Sequence, residues 1–309
     1  MNLSTTLAGI PLNSCILNAS GPRDTTLEEL QALQTSESAA IMMKSCTIDS
    51  RPGNPEPRYV EFTGGAQQSM GLPNHGYQAY LEYAQILKET SPKPIVASVS
   101  GLSPEDNLHI IQAFQDTPVD AIELNLSCPN IPGKPQTAYD LTATDRLLEQ
   151  IQSTKPLGLK LPPLLDPALV RDFCSCITQH QVSFVTLINS VGNTLVIDPA
   201  TDRPIIKPKH GLGGLSGSMI KPIALGNVWM FHEALKDTQI DIIGVGGISF
   251  GRDVYDFLLA GATAVQIGTA YQSENIPVFS RLNQELLQVF AEKKIASVDT
   301  IRGTLQEYQ

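Results

Sequence analysis

Short apolar runs rich in β-branched residues alternate with segments of helical spacing along almost the whole chain. The runs at 15–19, 40–44, 94–99, 121–126, 157–161, 184–189, 240–245 and 264–267 predict eight strands. The segments between them predict helices at 27–34, 78–87, 143–151, 167–179, 222–235 and 252–259, with one more opening at Pro104 and a C-terminal one from 277 to about 291. The helix at Pro104 announces its own start. Ser103 can cap it, Pro104 suits the first turn, and Glu105 and Asp106 face the positive end of the helix dipole. Leu108, Ile111 and Phe114 then follow at helical spacing.

Eight strand–helix units in 309 residues match the count and length of a (β/α)8 TIM barrel, read as a single α/β domain spanning 1–309. A doubly wound open sheet shares the alternation and is the alternative. Polar residues at the C-terminal ends of the runs favour the barrel: Ser20, Lys44, Ser100, Ser127, Lys160, Ser190, Gly246 and Thr269. A barrel gathers all its strand ends at one mouth, where such folds place their chemistry. Long connections at 50–75, 129–140 and 193–214 interrupt the rhythm and belong to that mouth.

Composition narrows the partners. With 42% hydrophobic and 17% charged residues the chain is ordinary globular protein, and its net charge of −10 argues against nucleic acid and against an anionic membrane surface. No apolar run is long enough to span a bilayer, and residues 1–15 lack the basic and apolar regions of a signal peptide, so a cytoplasmic protein is expected. The cysteines (Cys15, Cys46, Cys128, Cys174 and Cys176) show no disulfide-framework spacing. Cys174 belongs to an apolar helix face with Val170, Phe173 and Ile177. The histidines show no metal-ligand spacing, and no metal is expected.

The candidate chemistry centres on residues 121–136, AIELNLSCPNIPGKPQ. The first half alternates as a strand; Pro129, Pro132, Gly133 and Pro135 end it. A lone cysteine there is ordinarily a small buried hydrophobe. Asn125, Ser127 and Asn130 around Cys128 argue for a polar site instead, because apolar cores do not accept amides without partners. Gly246 and Gly247 close the seventh run, while Gly268 and Thr269 close the eighth, the usual phosphate site of a barrel. A single such glycine is the default of any turn; the pair at these two ends predicts phosphate, with Gly217 and its neighbours adding backbone. Lys44 and Lys160 end apolar strands, where a lysine often only snorkels to solvent. Aimed at one mouth they would balance a carboxylate and the electron-rich edge of a reduced flavin, with Ser20, Asn125, Asn189 and Ser190 adding neutral hydrogen bonds. The His–Asp pairing of a hydrolase is not evident around Cys128.

These residues resemble a known family. ELNLSCPNIPGKPQ, NASG (18–21), GNPEPRY (53–59), SMGLPNHG, GLKLPP, INSVGN, IKPKHGLGGLSG, GVGGI and QIGTA together resemble dihydroorotate dehydrogenase, specifically the soluble class 1A enzymes. The resemblance implies an FMN-binding homodimer that oxidises dihydroorotate to orotate in pyrimidine synthesis and is reoxidised by fumarate, giving succinate. Cys128 falls on the family's catalytic base. Lys44, Asn125, Asn130, Asn189 and Ser190 would hold the substrate with 68–72 (Gln68, Ser69, Met70, Gly71 and Leu72). Ala19, Ser20, Lys44, Ser45, Asn125, Lys160, Ile188, Gly217, Gly246, Gly247, Gly268 and Thr269 would hold FMN, and the 129–140 loop would close over the site. The chain departs from the pattern at Gln68, where the family has the shorter asparagine. The alternatives are the NAD-linked class 1B enzyme, another FMN-dependent dihydropyrimidine oxidoreductase, and a non-flavin barrel using Lys160 as a Schiff base.

Overall fold

The computed structural model describes residues 1–127 and 136–306. Eight parallel strands form one sheet: β1 (Ile16–Asn18), β2 (Ile41–Met42), β3 (Ile95–Val99), β4 (Ala121–Asn125), β5 (Leu157–Leu161), β6 (Phe184–Leu187), β7 (Asp241–Val245) and β8 (Ala264–Ile267). Every run of the sequence pattern supplies one strand, trimmed by up to three residues. Between and after them lie α1 (Leu27–Thr35), α2 (Tyr77–Thr90), α3 (Pro104–Gln115), α4 (Leu141–Gln150), α5 (Pro167–Ile177), α6 (Lys221–Leu235), α7 (Gly251–Leu259), α8 (Thr269–Glu274) and α9 (Pro277–Lys293). The cap at Ser103 forms a full box with Asp106. The short α8 has no counterpart in the sequence pattern.

The strand order is β1-β8-β7-β6-β5-β4-β3-β2, each strand beside its neighbour in sequence. A doubly wound sheet reverses its order midway, so this order decides for the barrel. At the seam between β1 and β2 a side chain takes the place of a ladder. The buried Asn18 donates through Nδ2 to the Met42 carbonyl at 2.7 Å and accepts from the Met42 N–H at 2.9 Å.

Strand period two divides the core. Outward residues such as Ile95, Ile122, Leu159 and Val185 pack under the helices. Inward residues Val96, Ala121, Phe184, Ile243 and Ala264 fill the lower barrel with Leu7 and Leu12. Those two leucines come from an N-terminal hairpin, Thr5–Leu7 paired with Ile10–Leu12, which plugs the floor and is tied to the start of β7 by the Ala8 N–H donating to Asp241 Oδ2 at 2.7 Å. Gly158 is obligatory in this layer, because a Cβ there would lie 2.0 Å from the Phe184 ring.

Two of the long connections are not plain loops. Val191–Thr194, Gly213–Ser216, Gly65–Gln68 and Tyr59–Phe62 form, in that order, a four-stranded antiparallel sheet beside the mouth. Its central strands, GAQQ and GGLS, are rich in a residue that local propensity assigns to turns.

Candidate active site

The barrel changes from apolar to polar one layer above its floor. Glu123 of β4, Thr186 of β6 and Gln266 of β8 all point inward and are fully buried. Thr186 Oγ1 donates to Glu123 Oε2 at 2.7 Å, and Gln266 Nε2 donates to the same oxygen at 3.2 Å. Lys160 of β5 stands above them, 4% exposed, with Nζ 3.4 Å from Gln266 Oε1. Burial lowers the Lys160 pKa, while the charges of Glu123 and Asp24 work in the opposite direction. Glu123 is thus part of the counter-charge that makes a buried ammonium tolerable. Glu123 and Gln266 are not among the residues expected at the site, although a polar residue at an inward position of an apolar strand is the signal that marks them.

Lys44, just past β2, is the second cation. Its ammonium donates to the Gly21 carbonyl and lies 3.6 Å from Asp24 Oδ1. Asp24 is fully buried; its Oδ2 accepts from the Gly21 N–H at 2.8 Å, while Oδ1 has no hydrogen bond among the described residues and stands nearest that ammonium. Burial pushes the Asp24 carboxyl up to about 6, with Lys44 and the Gly21 N–H resisting the shift. The loop carrying Asp24 is pinned from two sides, by the Tyr80 hydroxyl on the Thr25 carbonyl at 3.0 Å and the Tyr271 hydroxyl on the Arg23 carbonyl at 3.2 Å.

A chain of short polar side chains runs around the rim. Ser20 Oγ accepts from the Ser45 N–H at 2.8 Å, and Ser45 Oγ pairs with Ser98 Oγ at 2.8 Å. Asn125 Oδ1 accepts from Ser127 Oγ at 2.7 Å, and Asn189 Nδ2 donates to Ser127 Oγ at 2.7 Å. Ser127 therefore locks two of the predicted amides into fixed orientations. Gln68 Nε2 donates to Ser190 Oγ at 3.1 Å, and Gln68 Oε1 accepts from the Met70 N–H at 3.1 Å. The extra methylene of Gln68 thus lets its amide bridge the small sheet to the end of β6.

These groups surround one cavity of about 290 Å³. Of the predicted residues, Ala19, Ser20, Lys44, Ser45, Asn125 and Lys160 line it from β1, β2, β4 and β5. Ile188, Asn189 and Ser190 line it from β6, and Gln68, Met70 and Leu72 from above. Gly217, Gly246, Gly247, Gly268 and Thr269 complete the wall. Ser69 and Gly71 do not line it. Both turn toward Asn54, whose Nδ2 donates to the Ser69 carbonyl at 2.9 Å and whose Oδ1 would meet a Cβ on Gly71 at 2.4 Å. Cys128 and Asn130 lie outside the described residues, as does 129–135 of the predicted closing loop. Tyr59 and Gln266 line the cavity without having been predicted.

The glycine wall is a matter of clearance. Gly247, at φ +80°, would bring a Cβ within 2.6 Å of the Lys221 backbone nitrogen, and Gly217, at φ +87°, within 2.6 Å of the Gly65 Cα. Only backbone fits here, which leaves N–H groups as the surface offered to a ligand. The charge pattern is equally one-sided. Among the described lining residues the charged side chains are Lys44 and Lys160, both cations, in a chain of net charge −10. A cavity of that kind takes an anion.

Comparison with known proteins agrees with this geometry. The model of the family described as dihydroorotate dehydrogenase matches residues 2–290. The chain belongs to that family. Relatives named dihydroorotate dehydrogenase A (fumarate) include one from Streptococcus equi subsp. equi, 44% identical over 99% of both chains, and one from Streptococcus uberis, 44% identical over 99% of this chain and 98% of the other. A solved member, the dihydroorotate dehydrogenase of Eimeria tenella in complex with ferulenol, superposes with a TM-score of 0.79 over 98% of this chain and 88% of its own, at 20% identity. That likeness shows the family's barrel is kept across large sequence distance. No described helix is long and apolar enough to cross a membrane.

Proposed function

We propose that this chain is a dihydroorotate dehydrogenase of the fumarate-using kind, oxidising (S)-dihydroorotate to orotate in pyrimidine biosynthesis. One observation carries the reading beyond family membership. The cavity pairs two buried or nearly buried lysines with a glycine wall and holds no lining carboxylate among the described residues. A substrate carboxylate, a phosphate and an electron-rich reduced ring are the anions that such a cavity answers.

FMN fits the residues present: the glycine wall suits its phosphate, and Lys160 suits the pyrimidine edge of its ring, where negative charge gathers on reduction. When bound, FMN supplies a two-electron carrier that accepts hydride from the substrate and yields the pair to fumarate, forming succinate. The rest of the work belongs to side chains. Lys44 pairs with the substrate carboxylate and fixes its orientation. Asn125 and Asn189, held by Ser127, and Ser190, held by Gln68, present hydrogen-bonding groups to the planar ring. Cys128 takes the proton at carbon 5. A thiol of ordinary pKa, about 8.5, is mostly protonated at neutral pH, so turnover should rise with pH until Cys128 ionises. The enzyme is read as a cytoplasmic homodimer, and the exposed apolar side chains of Leu195, Ile197 and Met219 are suited to a subunit contact.

The test is anaerobic mixing of the yellow protein with dihydroorotate, following flavin absorbance, and then addition of fumarate. Bleaching followed by recovery is expected. Cys128→Ala should keep the colour and lose bleaching by 10²-fold or more, as for a missing general base. A yellow wild type that dihydroorotate leaves unbleached would keep the cofactor and reject the substrate.

A further inference from the structure

On the outer flank of the barrel, far from the cavity, three donors of different chemistry meet. Asp145 lies in α4, Cys176 in the last turn of α5, and His180 just beyond that helix. Their Oδ1, Sγ and Nε2 atoms all lie within 4.8 Å of one another. His180 Nε2 is 2.7 Å from Asp145 Oδ1, and Cys176 Sγ is 3.7 Å from the same oxygen. All three residues are partly exposed, so the group opens to solvent. Helix α5 runs back from the mouth, which puts its last turn at the opposite end of the barrel from the site described above.

The arrangement is not a hydrolase triad. A cysteine nucleophile needs the imidazole between thiol and carboxylate, and here the carboxylate stands between the other two. What the group does have is two N–H and S–H donors converging on one oxygen. A single divalent cation can replace both protons. Bonds of about 2.0 to 2.3 Å to N, O and S place tetrahedral ligand atoms some 3.3 to 3.7 Å apart. The thiol already stands at that separation from the carboxylate, and the imidazole needs to withdraw by only a fraction of an ångström.

We propose that Asp145, Cys176 and His180 form a surface site for a borderline divalent cation of the zinc class, cross-linking α4 to α5, with solvent in the fourth position. The mixed S, N and O donor set selects for this class. Magnesium and calcium require mainly oxygen ligands, and only one protein oxygen is present in the group. Binding forms metal–sulfur, metal–nitrogen and metal–oxygen bonds; the thiol proton goes to solvent, and neutral His180 gives up its Nε2 proton and takes one up on Nδ1, so the net release is one proton.

The site escapes a search for motifs because no short spacing contains it. Residues 145 and 176 are brought together only by the packing of consecutive helices, and the i,i+4 pair Cys176 and His180 straddles a helix end.

The test titrates the holoenzyme with Zn²⁺ by calorimetry, and with Co²⁺ by difference absorbance, in wild type, Cys176→Ser and His180→Gln. The expected results are one ion per chain in wild type, a thiolate-to-cobalt charge-transfer band that Cys176→Ser abolishes, and at least tenfold weaker binding in both variants. Melting temperature should rise with Zn²⁺ in wild type alone. Unchanged flavin colour in both variants shows that they are folded. A band that survives in Cys176→Ser belongs to another thiol and overturns the proposal, as does equal zinc affinity in all three proteins or no binding at all.

Discussion

At the scale of single residues, the informative groups are charges buried where water cannot solvate them. Asp24 is the sharpest case, because its carboxyl is fully buried and held near 6 against an ordinary 3.8. A raised carboxyl pKa means the folded protein takes up its proton before the unfolded chain does. Ionised Asp24 therefore costs stability above about pH 6, and the cost is relieved as pH falls from there toward 3.8. Asp24→Asn removes this titration while keeping the shape. Relative to that variant, wild type should gain stability as pH falls from about 7 to 4, by up to about 3 kcal/mol at 1.36 kcal/mol per pH unit. Urea midpoints measured in parallel at matched pH check this, and two curves that stay parallel would contradict it. The groups facing Asp24 are Lys44, Lys160, Glu29, Tyr80 and Tyr271, none of which the substitution removes. The same carboxylate explains how Lys44 can be buried: it has a counter-charge beneath it and a carbonyl beside it.

At the scale of elements, the notable feature is how the barrel closes. Seven strand-to-strand junctions use backbone ladders, whereas at the β1–β2 seam the Asn18 amide imitates a peptide group. Asn18→Ala would leave a buried N–H and a buried carbonyl of Met42 unpaired. At about 1 to 3 kcal/mol for each of the two unsatisfied groups, a loss of roughly 2 to 6 kcal/mol is expected. Asn18→Asp sets a buried carboxylate against the Met42 carbonyl, so at neutral pH it should be at least as destabilising as alanine, and it should recover at low pH where the acid is protonated. Equilibrium unfolding of the three proteins orders them; an alanine variant as stable as wild type would mean the seam is held elsewhere. The consequence reaches the site, since Ala19 and Ser20 follow Asn18 directly into the cavity wall.

At the scale of the whole molecule, the barrel separates stability from chemistry along its axis. The floor is apolar and plugged by the N-terminal hairpin, whereas the mouth is polar and carries the cations. Leu7, 2% exposed, sits in the floor cluster with Phe184 and Ile243. Leu7→Ala should cost about 3 kcal/mol, within the range for buried leucines, and leave orotate affinity unchanged well below the melting transition. A fall in affinity matching the fall in stability would show that floor and mouth are coupled. The acidic exterior and cationic cavity belong to the same scale: net charge describes the surface and says nothing of the sign inside a site.

The eight strand–helix units, the cap at Ser103, and the lysines, amides and glycines at the strand ends can be read from the sequence alone, whereas Ala19, Ser45, Met70, Leu72 and Ile188 are named only through the family resemblance. The first set is local: apolar period, capping chemistry and glycine content are written within a few consecutive positions. The family resemblance was equally legible, because its motifs are contiguous strings. The fold settles the remainder. It turned Ser69 and Gly71 away from the cavity, set Asp24 beneath Lys44, placed Glu123 beneath Lys160, and let Asn18 close the barrel. It also brought Asp145 to Cys176 and His180. Each of these is a relation across helices or strands, and no local period encodes which distant side chain will meet a buried charge. The physical reason is the same throughout: a chain's pattern fixes which face of an element is buried, while the partner of a buried polar group is chosen by where the fold puts the next element.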